Sequence, residues 1–352
     1  MHEAILLVPG DPQQLTGGYV YDRHMVAGLR RHGWDILLQG LPGRFPDCDD
    51  TARRGADTCL AALADNHLVI IDGLALGGLP DIAARHGARL RLVALIHHPL
   101  ADETGLSATR RDTLDASERE ALRHVRHVLV NSPFTASRMR DYGVPAHRIA
   151  IVPPGTDPAP LAAGSANGSL RLLCVGSVIP RKGHDILIRA LATLDTLPWH
   201  LDCVGSLAYS PDYANTMQEL TGSLQLEKQV HFHGEHPPER LADYWHASDA
   251  FVLPSHYEGY GMVFAEALAR GLPIIATRGG AIPSTVPDGA GLLSEPGDVE
   301  GLADNLRSFM TEPRIQAGLR TRAIEAGQAL PDWEAAGDRF ARTLEDIQGG
   351  HP

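Results

Sequence analysis

The chain is poor in the features that mark many functional classes. Four cysteines among 352 residues, Cys48, Cys59, Cys174 and Cys203, show neither C-x-x-C spacing nor a disulfide framework. Cys174 and Cys203 fall inside apolar, strand-like runs, so buried free thiols are expected rather than a redox centre. The longest apolar runs, such as Ala4–Val8 and Leu92–Ile96, are strand-length, well short of the roughly 20 residues a membrane helix needs. The start, Met1-His2-Glu3, has none of the basic and apolar regions of a secretory signal, and a cytoplasmic location is expected. A net charge of −12 argues against nucleic acid as the main partner. The first 160 residues are close to neutral, so contact with an anionic membrane surface stays open there, although nothing demands it. Aromatic residues are scarce, at 5%, and nothing suggests disorder, collagen or a coiled coil. No G-x-G-x-x-G follows the first apolar run, which argues against a dinucleotide cofactor. Walker and G-x-S-x-G motifs are missing as well.

What is present is alternation. In the first half, strand candidates Ala4–Val8, Asp35–Leu38, Leu68–Ile71, Leu90–Ile96, His127–Val130 and Ile149–Val152 are separated by helical stretches Tyr19–Arg31, Thr51–Ala64, Ser107–Arg123 and Pro133–Tyr142. Such order predicts a parallel sheet with crossover helices. The Pro- and Gly-rich stretch Pro153–Ser169 cannot continue a strand or a helix and reads as a linker. Beyond it the alternation restarts. The strands are Leu170–Val175, His200–Val204, Gln229–Phe232, Ala250–Leu253, Pro273–Ala276 and Gly291–Leu293. The helices are Lys182–Thr196, Tyr213–Leu226, Pro237–Ala247, Gly261–Arg270 and Val299–Met310, and two further helical patterns, Arg314–Gly327 and Asp332–Ile347, close the chain. The expectation is an α/β protein of two Rossmann-like, doubly wound domains facing each other across a cleft. Ligands in such sheets bind outside the carboxyl ends of the strands, so residues just after strands carry the functional argument.

Three such places stand out. After Phe251-Val252-Leu253-Pro254 comes Ser255-His256-Tyr257-Glu258-Gly259-Tyr260-Gly261-Met262, leading into a helix that contains Glu266. Gly259 and Gly261 allow close backbone approach, and the amides at the helix start suit phosphate. Were the segment wholly helical, Glu258 and Glu266 would lie about 80° apart in projection. With Glu258 in the loop, both can face one elongated ligand, and carboxylates accept paired sugar hydroxyls well. The second place is Leu172-Leu173-Cys174-Val175-Gly176-Ser177-Val178-Ile179-Pro180-Arg181-Lys182-Gly183, a strand running into a loop with adjacent cations. The third is Val93-Ala94-Leu95-Ile96-His97-His98, two histidines directly after a buried strand; no nearby residue completes a metal ligand set with them. Asp47-Cys48-Asp49 has the D-x-D form of a metal–nucleotide motif, but it lies in a loop away from strand ends and reads as coincidence.

The ordered set of motifs resembles the family 4 glycosyltransferases of the GT-B fold, which are retaining enzymes. The resemblance rests on Glu258…Glu266 with Gly-Tyr-Gly between them, followed by Ala267-Leu268-Ala269-Arg270-Gly271-Leu272-Pro273. It also rests on Gly17-Gly18, Asn131-Ser132, Pro154-Gly155-Thr156-Asp157, Val175-Gly176, Arg181-Lys182-Gly183, Gly279-Gly280, Gly289-Ala290-Gly291-Leu292-Leu293 and Trp333-Glu334, and so covers nearly the whole chain. It implies an acceptor-binding domain over 1–158 and a nucleotide-sugar domain over 159–330. A helix over 331–352 would cross back to the first domain.

The resemblance also implies site roles. Glu266 would hold donor ribose hydroxyls and Glu258 those of the transferred sugar. Amides of Gly259, Tyr260, Gly261 and Met262 would meet the sugar and diphosphate, as would those at Gly17 and Gly18. Lys182 matches the family's phosphate-binding lysine and would stabilise charge on the leaving diphosphate. The family's arginine directly after the strand glycine Gly176 is here Ser177, and Arg181 is the candidate replacement. One of the two histidines would contact the transferred sugar; His98 fits the pattern better and His97 stays open. Neither metal nor cofactor is expected, with a UDP- or GDP-sugar as co-substrate and transfer of a hexose-type sugar to an unidentified hydroxyl acceptor. A soluble small acceptor is favoured, because Thr109–His127 interleaves Arg with Asp and Glu. The alternatives are a GT-B sugar-nucleotide epimerase and a non-catalytic sugar-nucleotide binding protein.

Overall fold

The computed structural model describes residues 2–165 and 168–349, so Ala166 and Asn167 of the linker, Met1 and the last three residues lie outside the description. The chain divides into two compact units. One comprises the chain up to Gly155 together with the segment from Pro331 onward; the other is Thr156–Leu330.

In the first unit the strands are β1 (Glu3–Pro9), β2 (Asp35–Leu41), β3 (Leu68–Asp72), β4 (Arg91–Ile96), β5 (His127–Val130) and β6 (Ile149–Ile151). They form one parallel sheet in the order β2-β1-β3-β4-β5-β6. The reversal of strand order beside β1 is the doubly wound pattern, and it places the ends of β1, β3 and β4 around one point. β3 and β4 are buried along nearly their whole length, as strands covered by helices on both faces must be.

The second unit repeats the plan with β7 (Leu170–Val175), β8 (Trp199–Val204), β9 (Val230–Gly234), β10 (Ala250–Leu253), β11 (Ile274–Thr277) and β12 (Gly291–Ser294). Their order is β12-β11-β10-β7-β8-β9, again all parallel. Here the reversal lies beside β7, next to β10. All twelve expected strands are present, with ends shifted by a residue or a few.

The helix Trp333–Gly349 belongs to the first unit. It packs on the helix Gly17–Arg31, where Gly28 and Gly337 let the two backbones meet: a Cβ on Gly28 would lie 2.7 Å from the Gly337 Cα. Trp333 stacks on His24, with ring centroids 3.8 Å apart, and Phe340 packs edge-on to Tyr21. The Tyr21 hydroxyl donates to the Val152 carbonyl at 2.9 Å.

Three local features depart from the sequence reading. Short helices Gly73–Leu76 and Pro80–Gly87 follow β3, where Gly-Leu-Ala-Leu-Gly-Gly-Leu-Pro offers no helical period to read. A third short helix, Ile282–Thr285, was also not expected. The described part of the linker has no helix or strand, yet its end is fastened to the second unit. Ala162 and Ala163 amides donate to the carbonyls of Arg270 and His246, and the Ser165 amide to Asp249. Asp49 of the D-x-D sequence caps a helix, accepting from the Ala52 amide at 2.9 Å, while Asp47 pairs with Arg110. Among the described residues no helix is long and apolar enough to cross a membrane.

Candidate active site

In the second unit, the expected residues gather where β7, β8 and β10 end. Gly176 follows β7, and its amide donates to the Val204 carbonyl at 2.9 Å. Ser177 comes next, half-buried; its carbonyl accepts from the Ile179 amide. The loop closes in a single 3-10 turn, Pro180–Lys182, and Gly183 starts the helix His184–Ala192. Gly183 has φ of 68°, and a Cβ there would sit 2.3 Å from the Pro254 carbonyl oxygen. Only glycine therefore lets this turn lie against the end of β10. The contact is reinforced by the His256 amide, which donates to the Arg181 carbonyl at 2.8 Å.

That approach brings Glu258 to the two cations. Lys182 Nζ lies 2.7 Å from Glu258 Oε1, and one Arg181 guanidinium nitrogen lies 3.2 Å from Oε2. Ser255 Oγ also donates to Oε1 at 2.6 Å, and Arg181 donates to the Tyr257 carbonyl at 2.8 Å. The Lys182 stem passes over Gly176. Glu258 is only 6% exposed, so burial alone would raise its pKa; Lys182 first, then Arg181 and Ser255, outweigh this and hold it down at about 2. Burial also pulls the Lys182 ammonium downward, with Glu258 opposing that shift. Two cations against one ionised carboxylate leave the cluster with a net positive charge at a strand end. Such a site favours an anion.

Gly259, Tyr260 and Gly261 lead from Glu258 into the helix Met262–Ala269. Gly261 caps it with φ of 81°, and a Cβ there would meet the Phe264 ring at 2.6 Å. The loop is tied to the next strand connection. The Ala281 amide donates to the Glu258 carbonyl at 2.8 Å and Thr285 Oγ1 to the Tyr260 carbonyl at 2.6 Å. Burial raises the Tyr260 pKa. Met262 opens the first turn, whose leading amides have no intrahelical partner. Glu266 sits farther along the same helix, half-buried, with Arg270 and Asp157 as its charged neighbours; burial raises its pKa, Arg270 opposing and Asp157 adding to the shift.

In the first unit, Gly17 and Gly18 form the first turn of the helix Gly17–Arg31. Arg23 fixes the preceding loop by donating to the Pro12 and Gln14 carbonyls at 2.7 and 2.8 Å. His97 and His98, just past β4, diverge. The His97 ring lies against Gly18, where a Cβ would come within 3.3 Å of it. Its Nε2 is 3.0 Å from Asp22 Oδ1 and 3.6 Å from Asp72 Oδ2. His98 Nε2 instead lies 3.7 Å from Glu103 Oε2. Burial works against the His97 imidazolium, but the two carboxylates outweigh it and its pKa is raised. Burial raises Asp72 to about 6, with Asp22 adding to the shift and His97 opposing it.

Asp22 and Asp72 escaped the sequence reading. Asp72 ends β3, a position the strand-end rule reaches, and Asp22 is a charge on the buried face of a helix that also buries Tyr21, Met25 and Leu29. Together with His97 they also form a set of donor atoms lying within 4.8 Å of one another.

Comparison with known proteins bears on the family and the fold. Residues 1–160 match the model described as Glycosyltransferase Family 4, and residues 162–330 that of Glycosyl transferases group 1. The D-inositol 3-phosphate glycosyltransferase of Rhodococcus erythropolis is 31% identical over 273 residues, 70% of this chain and 61% of that protein. The GDP-mannose-dependent alpha-(1-6)-phosphatidylinositol monomannoside mannosyltransferase of Mycolicibacterium smegmatis is 29% identical over 290 residues, 76% of this chain and 72% of that one. The match spans less than two thirds of the Rhodococcus relative's length. Among solved structures, sucrose-phosphate synthase from Thermosynechococcus elongatus superposes with a TM-score of 0.83 at 22% identity, covering 99% of this chain and 100% of that one. HepE of Anabaena, solved with UDP and glucose, gives 0.78 at 20% identity over 98% and 100%. Both likenesses concern the fold. Two family models placed end to end over nearly the whole chain, on two parallel sheets of the required order, settle the assignment: the chain belongs to the family 4 glycosyltransferases of the GT-B fold.

Proposed function

We propose that the protein transfers a hexose-type sugar from a nucleoside diphosphate sugar to a hydroxyl acceptor, with retention of anomeric configuration and without a metal. The observation that carries this reading is the Lys182–Glu258–Arg181 cluster at the ends of β7 and β10, a fixed net positive charge beside the start of the helix Met262–Ala269. A diphosphate leaving group accumulates negative charge as the glycosidic bond breaks, and cations already fixed in place stabilise it without reorganisation. In this reading Lys182 and Arg181 serve the diphosphate, with the amides of Gly259 to Met262. Glu258, kept ionised, accepts from hydroxyls of the transferred sugar, and Glu266 from the ribose. Gly17 and Gly18 supply backbone amides, and Ser177 follows Gly176 in the phosphate loop.

Of the two histidines, His97 is the one we assign to the transfer step, because it is seated on Gly18 and oriented by Asp22. Retention by a covalent intermediate needs a carboxylate behind the anomeric carbon. Glu258 is already engaged by two cations and a serine, so front-face attack is favoured, with a donor phosphate oxygen taking the acceptor's proton.

UDP and GDP both stay in play for the base. The two relatives named above carry inositol in their names, so hydroxylated ring acceptors such as inositol phosphates are the first to try; a small soluble acceptor also agrees with the mixed charge of Thr109–His127.

The test is a thermal-shift screen of nucleotide sugars, followed by transfer assays with the stabilising donor and NMR of the product anomer. Stabilisation by one donor, and an α-product from an α-donor, are expected. Isomerised donor with no acceptor present favours an epimerase instead. Tight donor binding with neither transfer nor hydrolysis, changed by Glu258→Gln in affinity alone, leaves a binding protein.

A further inference from the structure

The core of the second unit contains a polar island that glycosyl transfer does not use. Cys174 on β7 and Cys203 on β8 are direct partners in the parallel register. Their side chains therefore leave the same face of the sheet. Above them stands His184, the first residue of the helix His184–Ala192. All three are buried, at 0%, 2% and 1% exposure, and the two cysteines belong to the same core as Leu172, Leu187 and Leu201. A parallel sheet core normally fills such positions with Val, Ile or Leu. Here two of only four cysteines in the chain meet a histidine.

The donor atoms converge. The two Sγ atoms and one imidazole nitrogen all lie within 4.8 Å of one another, and Cys174 Sγ is 3.6 Å from His184 Nε2. An ion bound at about 2.3 Å to sulfur and about 2.0–2.1 Å to nitrogen places neighbouring donors roughly 3.4–3.9 Å apart. The observed sulfur–nitrogen distance is within that interval, so little movement would be needed. Nε2 is the nitrogen that faces the sulfur; Nδ1, on the other side of the ring, is buried without a hydrogen-bond partner and would stay so with an ion on Nε2.

We propose that Cys174, Cys203 and His184 form a three-donor site for a single thiophilic d10 cation, Zn2+ or Cu+. Sulfur and imidazole donors select these ions over Mg2+ or Ca2+, which take oxygen. Binding Zn2+ replaces the two thiol protons, which leave for solvent, so two thiolates and a neutral imidazole around a doubly charged ion give an uncharged unit fit for an apolar core. Cu+ suits the small number of donors, and there only one thiol proton leaves for solvent, the second sulfur staying a neutral thiol, so that the unit is again uncharged. The ion would join β7, β8 and the first turn of the following helix, two residues from Lys182. It would thus brace the base of the cation-bearing loop without taking part in the reaction.

The experiment uses the full chain, stripped by chelator and kept reduced, then titrated anaerobically with Zn2+ and, in a separate arm, with Cu+ delivered by a competing ligand. Bound metal is counted after gel filtration, released protons are measured, and the thiolate-to-metal charge-transfer absorption is recorded. We expect about one ion per chain in at least one arm, and close to two protons released per Zn2+. Affinity should fall at least tenfold in each of Cys174→Val, Cys203→Val and His184→Gln. The double variant Cys48→Ser/Cys59→Ser should bind as the native chain does. Retention in one arm alone identifies the ion. Failure of both ions to survive gel filtration overturns the proposal; so does binding that persists unweakened in any folded one of the three site variants, whether or not the Cys48/Cys59 variant loses it. Far-ultraviolet circular dichroism checks folding, and any one folded variant of the three decides the matter.

Discussion

Replacing Lys182 with Met exposes what holds Glu258 ionised. In the native protein the Lys182 ammonium is 2.7 Å from the carboxylate, whose pKa is held at about 2 rather than 4.5. A difference of about 2.5 units corresponds to roughly 3 kcal/mol of preference for the charged form, at about 1.4 kcal/mol per unit. Methionine keeps most of the apolar stem and removes the charge, while Arg181 and Ser255 remain as weaker support. Because deleting one partner of a buried pair leaves the other charge poorly compensated, the variant should lose stability on the order of 3 kcal/mol near neutral pH, less whatever Arg181, Ser255 and the relief of the lysine's own burial recover. The pH dependence identifies the cause. Glu258 has a lower pKa folded than unfolded, so its stabilising contribution is fully present above about pH 4.5 and disappears as the pH falls toward about 2. In the variant, burial is less opposed, the carboxyl takes up its proton at higher pH, and the strain is relieved on acidification. Urea unfolding of both proteins from about pH 7 to about pH 3 should show a gap that is widest at neutrality and narrows below about pH 4.5. Glu258→Gln added to Lys182→Met should recover much of the loss. A gap constant across the range, or a double variant no better than the single, would show that the lysine acts through packing and not through charge.

Three other perturbations reach the rest of the molecule. Asp22→Asn removes the nearer of the two carboxylates that raise His97, so the His97 ring should titrate at lower pH in an NMR titration, and kcat should fall about tenfold or more with little change in KM; an unmoved titration counts against the pairing. Gly28→Val places a branched side chain where even a Cβ would be 2.7 Å from the Gly337 Cα, and thermal unfolding should show a loss of about 2 kcal/mol or more; a neutral effect would mean the two helices separate freely. Glu118, which accepts from the Leu100 amide at 2.9 Å, is pushed by burial to about 8. A carboxyl whose pKa is raised on folding leaves stability unpenalised below about pH 4.5 and lowers it progressively as the pH rises toward about 8. Glu118→Gln should flatten that decline in denaturant melts, and equal slopes for the two proteins would refute it.

The strands were legible because parallel strands buried on both faces read as short apolar runs, and the turns between them are marked by glycine and proline. The helices after β3 were not, since Gly73–Leu76 sits in a stretch of glycine and leucine with no polar face to set a period. At the site, the strand-end rule reached Glu258, Lys182, Arg181 and the histidine pair. It did not separate His97 from His98, because successive residues after a strand diverge according to side-chain packing that only three dimensions supply. Family pattern favoured His98, whereas contact with Gly18 and Asp22 belongs to His97. Asp22 was hidden for the same reason: a carboxylate on a helix looks like surface until its partner, 75 residues away in sequence, is placed beside it.

The helix Trp333–Gly349, seated on Gly17–Arg31, means that the first unit is finished by chain synthesised after the whole of the second. Thr156–Leu330 is contiguous, so on the ribosome it can complete its fold while Tyr21, His24 and Gly28 still await their cover. Bringing the two helices together closes a loop of some 300 residues; once the intervening unit has condensed, the flexible length left to close is far shorter, and the entropic penalty, which grows only with the logarithm of that length, falls accordingly. A nascent chain halted after Leu330 would hold one finished sheet and one bare flank, the flank being where chaperones or aggregation would act.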